Sequence, residues 1–402
     1  MIGSLSCIGA FRLARRHGLA PLLLLIGTAL ATSNVAATTY RIVLLPLPPD
    51  AHGSVLPAAI NNASEVVGDG YRDGSTHAVA WGTGSDHAPR WLPEGDARSS
   101  DAFGINDNGY IVGELDDPSG TSYSAAMWPP NGAPIVLRDA TNPNIESGAF
   151  AINNNRTILG NIVTGTGVAY PFWLRPGTKP RNIPAGQFFT VWPEALNNHD
   201  TMVGHGILAV DDGQYHYRAF RSTPRTGRQL LDELPFAGSD VDYHAWDVND
   251  TGEVVGEAYD PTLKRSHVVK WNADGSALDL GGLPGDSEYS YSACCINNAG
   301  VVAGKVTYTL AYGDFQGFVW TPANGMHSIV DLIDPLDPLY PEIASGTPIE
   351  VIGINDAGVM VGMLDPYDRQ RPILLIPNPK KLARLPPPSP EPAPRVPDAA
   401  RR

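Results

Sequence analysis

Ala59-Ile60-Asn61-Asn62-Ala63-Ser64-Glu65-Val66-Val67-Gly68 decides the fold, because the same pattern returns six more times along the chain. The later copies are Gly104-Ile105-Asn106 with Ile111-Val112-Gly113, Ala151-Ile152-Asn153 with Ile158-Leu159-Gly160, and Ala195-Leu196-Asn197 with Met202-Val203-Gly204. Asp247-Val248-Asn249 with Val254-Val255-Gly256, Cys295-Ile296-Asn297 with Val302-Ala303-Gly304, and Gly353-Ile354-Asn355 with Met360-Val361-Gly362 complete the set. Successive asparagines lie 44 to 58 residues apart. A unit of this length cannot bury its own apolar face and must stack against its neighbours.

Two further landmarks divide each unit. About twenty residues after the asparagine, an apolar strand ends in Trp81, Trp128, Trp173, Trp271 or Trp320, with Phe220 in copy four. A short strand then runs into a Leu-Pro turn, as at Leu92-Pro93, Leu234-Pro235 and Leu283-Pro284. Each copy therefore holds about four short strands, A to D, which is the composition of a propeller blade. The A–B turn has its own chemistry. Asn suits the first position of a type I turn, and Gly three residues on accepts a left-handed conformation, as in Asn106-Asp107-Asn108-Gly109. The acidic residues of these turns belong to turn chemistry rather than to a calcium loop, which needs a longer ligand run and a closing Glu.

The expected fold is all-β: a seven-bladed β-propeller of four-stranded blades. Copy one lacks a preceding strand D and copy seven lacks a following one. The run Tyr40-Arg41-Ile42-Val43-Leu44-Leu45-Pro46 ends in the same Leu-Pro, so this N-terminal strand is expected to close the last blade and remove both open sheet edges. Residues 38–377 form the propeller in this reading. Residues 1–37 read as a signal peptide: Arg12, Arg15 and Arg16 precede a short apolar run from Leu19 to Leu30, and small residues allow cleavage after Ala31 or Ala37. Residues 378–402 are Pro-rich and read as a disordered tail.

Over the 402 residues, 42 Gly and 37 Pro fit many turns between short strands, and charged residues make up only 17%. The net charge of −14 includes a tail with six basic and two acidic residues, so the body is more acidic still. That charge repels nucleic-acid phosphates and anionic lipid. The expectation is an exported, secreted or periplasmic monomer, with no nucleic-acid partner and no stable membrane insertion after signal cleavage.

The repeat resembles the HAF repeat family of extracellular repeats, whose consensus runs A-x-x-I-N-x-x-G-x-V-V-G, then H-A-F-x-W, then D-L-G-x-L-G-G. His77-Ala78-Val79-Ala80-Trp81 and Leu278-Asp279-Leu280-Gly281-Gly282-Leu283 carry the second and third parts. No copy has the full His-Ala-Phe triplet; copy four offers Arg218-Ala219-Phe220. The resemblance spans residues 39–377 and implies export; it brings no catalytic residues.

Length variation falls in the B–C and D–A connections, which share one face of the disc. Binding evolves on such loops. The ligand-binding candidates are Asp211, Asp212, Tyr215 and Tyr217 after strand B of copy four, Asp240, Asp242, Tyr243 and His244 before copy five, and Glu288, Tyr289 and Tyr291 before copy six. Aromatic faces beside carboxylates suit a carbohydrate or protein ligand. Asp247 stands where other copies have Ala, Gly or Cys, and is a weak catalytic candidate. Cys294-Cys295 are read as an inert pair, since neighbours on a strand point to opposite faces. No phosphate loop, metal spacing or nucleophile elbow is present, so no cofactor or metal is expected. The function expected is a non-enzymatic recognition module acting through the variable-loop face. The alternatives are a polysaccharide-directed hydrolase with acids near the central channel, and a structural spacer.

Overall fold

The computed structural model describes residues 36–137, 146–163, 169–209, 215–235, 238, 240–285, 289–308 and 315–384. Seven four-stranded antiparallel sheets form a ring, a seven-bladed β-propeller as expected. In blade one, strand A is Val55–Ile60, B is Val66–Arg72, C is Ser75–Trp81 and D is Pro89–Trp91, hydrogen-bonded in that order. The signal-like segment, Asp211, Asp212, Glu288 and residues 385–402 lie outside the described residues. No helix among the described residues is long and apolar enough to cross a membrane.

The repeated asparagine does more than make a turn. Its Oδ1 accepts two amides of its own turn, as at Asn106 from Asn108 and Tyr110, both at 3.0 Å. Its Nδ2 crosses to the next blade and donates to the carbonyl of the equivalent asparagine. The bonds run Asn61 to Asn106 (3.2 Å), Asn106 to Asn153 (2.8 Å), Asn153 to Asn197 (3.0 Å) and Asn197 to Asn249 (2.9 Å). They continue from Asn249 to Asn297 (3.0 Å), Asn297 to Asn355 (3.0 Å) and Asn355 back to Asn61 (3.1 Å). All seven side chains are buried, so each bond forms away from competing water.

A second ring surrounds the first. The residue after each asparagine is Asn62, Asp107, Asn154, Asn198, Asp250, Asn298 or Asp356. Each backbone amide donates to the side-chain oxygen of its counterpart in the next blade, at 2.7 to 2.9 Å. Every aspartate sits between two asparagines. Asp107, for example, accepts from Nδ2 of Asn62 and Asn154. Each position must present an Oδ1 acceptor to the amide of the neighbouring turn, which is why it holds only Asn or Asp.

The Gly of each Val-Val-Gly has an equally specific cause. Strand A carries a β-bulge in every blade, at Ala58, Phe103, Phe150, Glu194, Trp246, Cys294 and Ile352. The bulge pushes a strand A carbonyl toward strand B. A Cβ on Gly113 would overlap the carbonyl oxygen of Asp101, and one on Gly256 that of His244. Only glycine fits beneath the bulge.

Strand C adds a further lock between blades. The indole Nε1 of Trp81 donates to Pro46 O (2.8 Å), Trp128 to Pro93 O (2.7 Å) and Trp271 to Asp232 O (2.7 Å). For Trp81 and Trp128 the Trp and the preceding Leu-Pro turn are thus two halves of one contact, while Trp271 bonds the chain two residues before Leu234-Pro235.

The N-terminal strand Ala36–Leu44 pairs antiparallel with Arg371–Arg384, completing the sheet of Ile349–Ile354 and Met360–Leu364. This strand begins at Ala36, inside the window of expected cleavage sites. The C-terminal strand runs to Arg384, seven residues beyond the boundary expected at residue 377, because residues up to 384 pair with Ala36–Thr38. The outer edge is covered as well. Two short helices, Ile329–Leu332 and Tyr340–Ala344, lie between blades six and seven. Asp334 N donates to Tyr40 O (2.9 Å), and Ile42 N donates to Asp337 Oδ2 (2.7 Å). Deleting residues 38–48 removes buried Tyr40 and Leu45 and reopens both edges. The expected outcome by calorimetry is a melting midpoint about 10 °C or more lower, or no cooperative transition at all; an unchanged midpoint would exclude the closure.

Candidate functional site

Strand A of every blade lines the central channel, which opens at the A–B end as a cavity of about 360 Å³. The bulged residues all line it, and each is half-buried. Ala58, Phe103, Phe150, Trp246 and Ile352 make this collar apolar, while Glu194 and Cys294 are its polarizable or ionisable members. Burial in that collar pushes the Glu194 carboxyl up to about 7.

Blades four and five carry an aromatic seam from this cavity toward the opposite face. Trp246 stacks on His244 with centroids 5.5 Å apart, and His244 lies 4.6 Å from His205 and 4.9 Å from Tyr217. Trp192 stacks on His205 at 5.5 Å and meets Tyr217 at 5.9 Å. Beyond them Phe189 and Tyr215, 6.0 Å apart, are 77% and 62% exposed; Trp192 is 37% exposed. Nδ1 of His205, Nδ1 of His244 and Nε1 of Trp246 are buried without a hydrogen-bond partner. Burial drives His205 down to about 3, with His244 beside it adding to the shift, and lowers His244 as well. The rings are neutral at physiological pH. His205 Nδ1 lies 3.8 Å from Glu194 Oε1, too long for a hydrogen bond, and both groups favour their uncharged forms.

At the same height of the inner strands, five of the seven blade boundaries hold different pairs. His205 meets His244 between blades four and five, and Lys305 Nζ bonds Glu350 Oε1 at 3.0 Å between six and seven. Glu257, raised by burial, bonds Ser292 between five and six. Asp69 faces Asp101 between one and two; burial, then repulsion from Asp101, raises Asp69 to about 6. Glu114 lies over Gly148 between two and three and is raised to about 7, by burial first and by Asp101, Asp116 and Glu146 after it. Among the described residues no group of three His, Cys, Asp or Glu side chains could hold a metal ion.

Of the residues singled out from sequence, Tyr217 and His244 are brought together in the seam and Tyr215 stands exposed at its outer end. Asp242 is half-buried and accepts from Tyr217 N at 2.9 Å, tying strand C of blade four to strand A of blade five. Asp240 is exposed in the connection just before. Tyr289 packs edge-on against Tyr308 at 5.0 Å, outside the seam. Tyr243 and Tyr291 are buried rather than presented on the loops. Their hydroxyls accept the amides of Leu234 (3.0 Å) and Leu283 (2.9 Å), bracing the Leu-Pro turns. Asp247 has both oxygens engaged, Oδ1 by Val248 N (2.8 Å) and Oδ2 by Ile296 N (2.9 Å) of the next blade. Burial raises it to about 6, and its geometry is that of a clamp between blades five and six. The cysteines correct an expectation: the bulge at Cys294 cancels strand alternation, so the two sulfurs adjoin and both residues line the cavity. Sequence reading missed Phe189, Trp192, Glu194, His205 and Trp246. Aligned by copy, Trp192 and His244 share one column, with Leu56, Asp101, Gly148, Ser292 and Glu350 in the others. That variability within strand A was the available signal.

No family model and no curated protein sequence matches this chain. Among solved structures, it is similar to the β-propeller domain of the Trilobed protease from Pyrococcus furiosus, with 9% identity, TM-score 0.54, and coverage of 85% of this chain and 100% of that one. That domain is described as having an open velcro topology; here the first and last described strands share one sheet. It is also similar to a prolyl endopeptidase (15% identity, TM-score 0.47, 81% of this chain and 46% of that one). An acylaminoacyl peptidase from Pyrococcus horikoshii aligns at 11% identity and TM-score 0.47, over 80% of this chain and 51% of that one. The chain spans about half the length of these two peptidases. The likeness to the first structure concerns the fold alone.

Replacing Glu194 with Gln removes a carboxyl that the folded state holds protonated and the unfolded state releases. A raised carboxylate contributes stability below its unfolded value, lost as pH rises toward its folded value. In thermal melts, Glu194→Gln should therefore gain stability relative to wild type as pH rises from about 4.5 to about 7, with no further gain above that. Parallel curves would remove Glu194 from the buried collar.

Proposed function

We propose that this chain is an exported, non-enzymatic recognition module that binds carbohydrate or protein through the channel wall and loop face of blades four and five. The observation that carries this reading is the aromatic seam. Trp192, Phe189 and Tyr215 expose large apolar faces beside buried polar groups, and such rings pack well against sugar rings and side chains. A rigid propeller supports it by fixing those rings without ordering cost at binding. Membership of the HAF repeat family is part of the same proposal, supported by the seven Asn/Val-Val-Gly copies. So is export as a monomer to the periplasm or cell exterior, supported by the Arg-rich start and apolar run before residue 31.

A hydrolytic alternative is supported by the Glu194 carboxyl, which lines the cavity and is raised into the range of a general acid. A glycosidase of the common kind needs a second carboxylate, and Asp247 in the same cavity already holds two backbone amides. Recognition therefore stands first.

The test is a glycan array and an envelope-extract pull-down, each run with wild type and Trp192→Ala. Wild type should bind, and the variant should lose about tenfold or more in affinity while keeping its melting midpoint. Silence of wild type in both assays, or full binding by the variant, would count against the seam.

A further inference from the structure

Cys294 and Cys295 are the cysteines among the described residues. Adjacent residues of a regular strand diverge, but Cys294 is the bulged residue of blade six: Ala293 pairs with Gly304 and Cys295 with Ala303, leaving Cys294 as the extra residue. In every blade the bulged residue and the one after it line the cavity; in blade six alone both are cysteines, and their sulfurs are paired as a disulfide between neighbours in sequence. Cys294 is half-buried in the collar between Trp246 of blade five and Ile352 of blade seven, Cys295 is buried, and both pack against the apolar core shared by blades six and seven.

We propose that Cys294–Cys295 is a two-electron thiol–disulfide site set in the channel wall and open to small thiols through the cavity. In oxidation the two thiols give up two protons and two electrons to an acceptor disulfide, which leaves as two thiols, and the Sγ–Sγ bond forms. In reduction a small dithiol attacks one sulfur through a mixed disulfide, then closes to its own cyclic disulfide and releases both cysteines as thiols. A compartment outside the cytosol supplies the oxidising partner. The site stands on the position of the sulfurs and not on what the channel binds, so it can fail or hold independently of the recognition reading.

The full-length exported protein, prepared without reductant, is denatured in excess iodoacetamide, digested and analysed by mass spectrometry at the peptide containing both cysteines. The expected result is no alkylation, and two alkylations after pretreatment with dithiothreitol. Alkylation without reductant would overturn the assignment. The same dithiothreitol step is then performed on the folded protein. Reduction without unfolding supports access through the cavity; reduction only in urea overturns it. Ile352→Trp, which fills the collar beside Cys294, should slow folded-state reduction by about threefold or more at an unchanged melting midpoint, and an unchanged rate would overturn the channel as the route.

Discussion

The hydrogen bond from each repeated asparagine's Nδ2 to the carbonyl of its counterpart in the next blade is the constraint on which the architecture rests. Within a blade, backbone ladders fix the strands. Between blades the contact is mostly apolar packing, which is favourable but non-directional. The asparagine ring supplies direction. Each side chain holds its own turn with Oδ1 and the neighbouring turn with Nδ2, so the local and the long-range contact cannot be satisfied separately. At about 1 kcal/mol net per bond, seven such bonds reach the scale of a domain's whole stability. Because the ring closes from Asn355 to Asn61, it fixes the number of blades as well as their order.

The channel inherits its form from the same strand. A bulge three residues before each asparagine places one extra side chain at the cavity, and the glycine of Val-Val-Gly makes room for the displaced carbonyl. Turn, bulge and glycine are a single device repeated seven times. It leaves the bulged residue, and the residue two before it, free to differ from blade to blade. Trp192, Glu194, His244 and Trp246 of blades four and five, Asp101 of blade two and Cys294 of blade six occupy these positions, and strand B residues such as Asp69, Glu114 and His205 meet them from the preceding blade. A rigid ring thus carries its chemical variety on inner strands as well as on loops.

Blade count, strand order and closure were legible because the repeat is dense in residues with one structural use each: Asn in the turn, Gly under the bulge, Trp against Leu-Pro. The bulge was not legible. It leaves no mark in hydrophobic alternation beyond a small residue before each Ile-Asn, and it reverses the direction of one side chain per strand. For that reason Cys294 and Cys295 read as diverging when they adjoin, and Trp246 and Glu194 went unremarked. Tyr243 and Tyr291 misled in the opposite sense. A tyrosine beside acidic loop residues reads as a surface contact, yet both hydroxyls are used inside the wall. Asp247 stands out in sequence as the one acid at its position, and what the sequence does not show is that its second oxygen accepts the Ile296 amide of the next blade.

Equilibrium urea unfolding of Asn197→Ala isolates the ring bond best, because the Asn197 side chain reaches the next blade through a single hydrogen bond, Nδ2 to Asn249 O, and otherwise holds only its own turn. The expected loss is about 2 to 4 kcal/mol, since three hydrogen bonds go at one buried site. Asn197→Asp, which keeps the acceptor but not the Nδ2 donor, should recover only part of that loss. Stability of Asn197→Asp equal to wild type would contradict the role of the ring bond, because the turn would then suffice without the bond to the next blade.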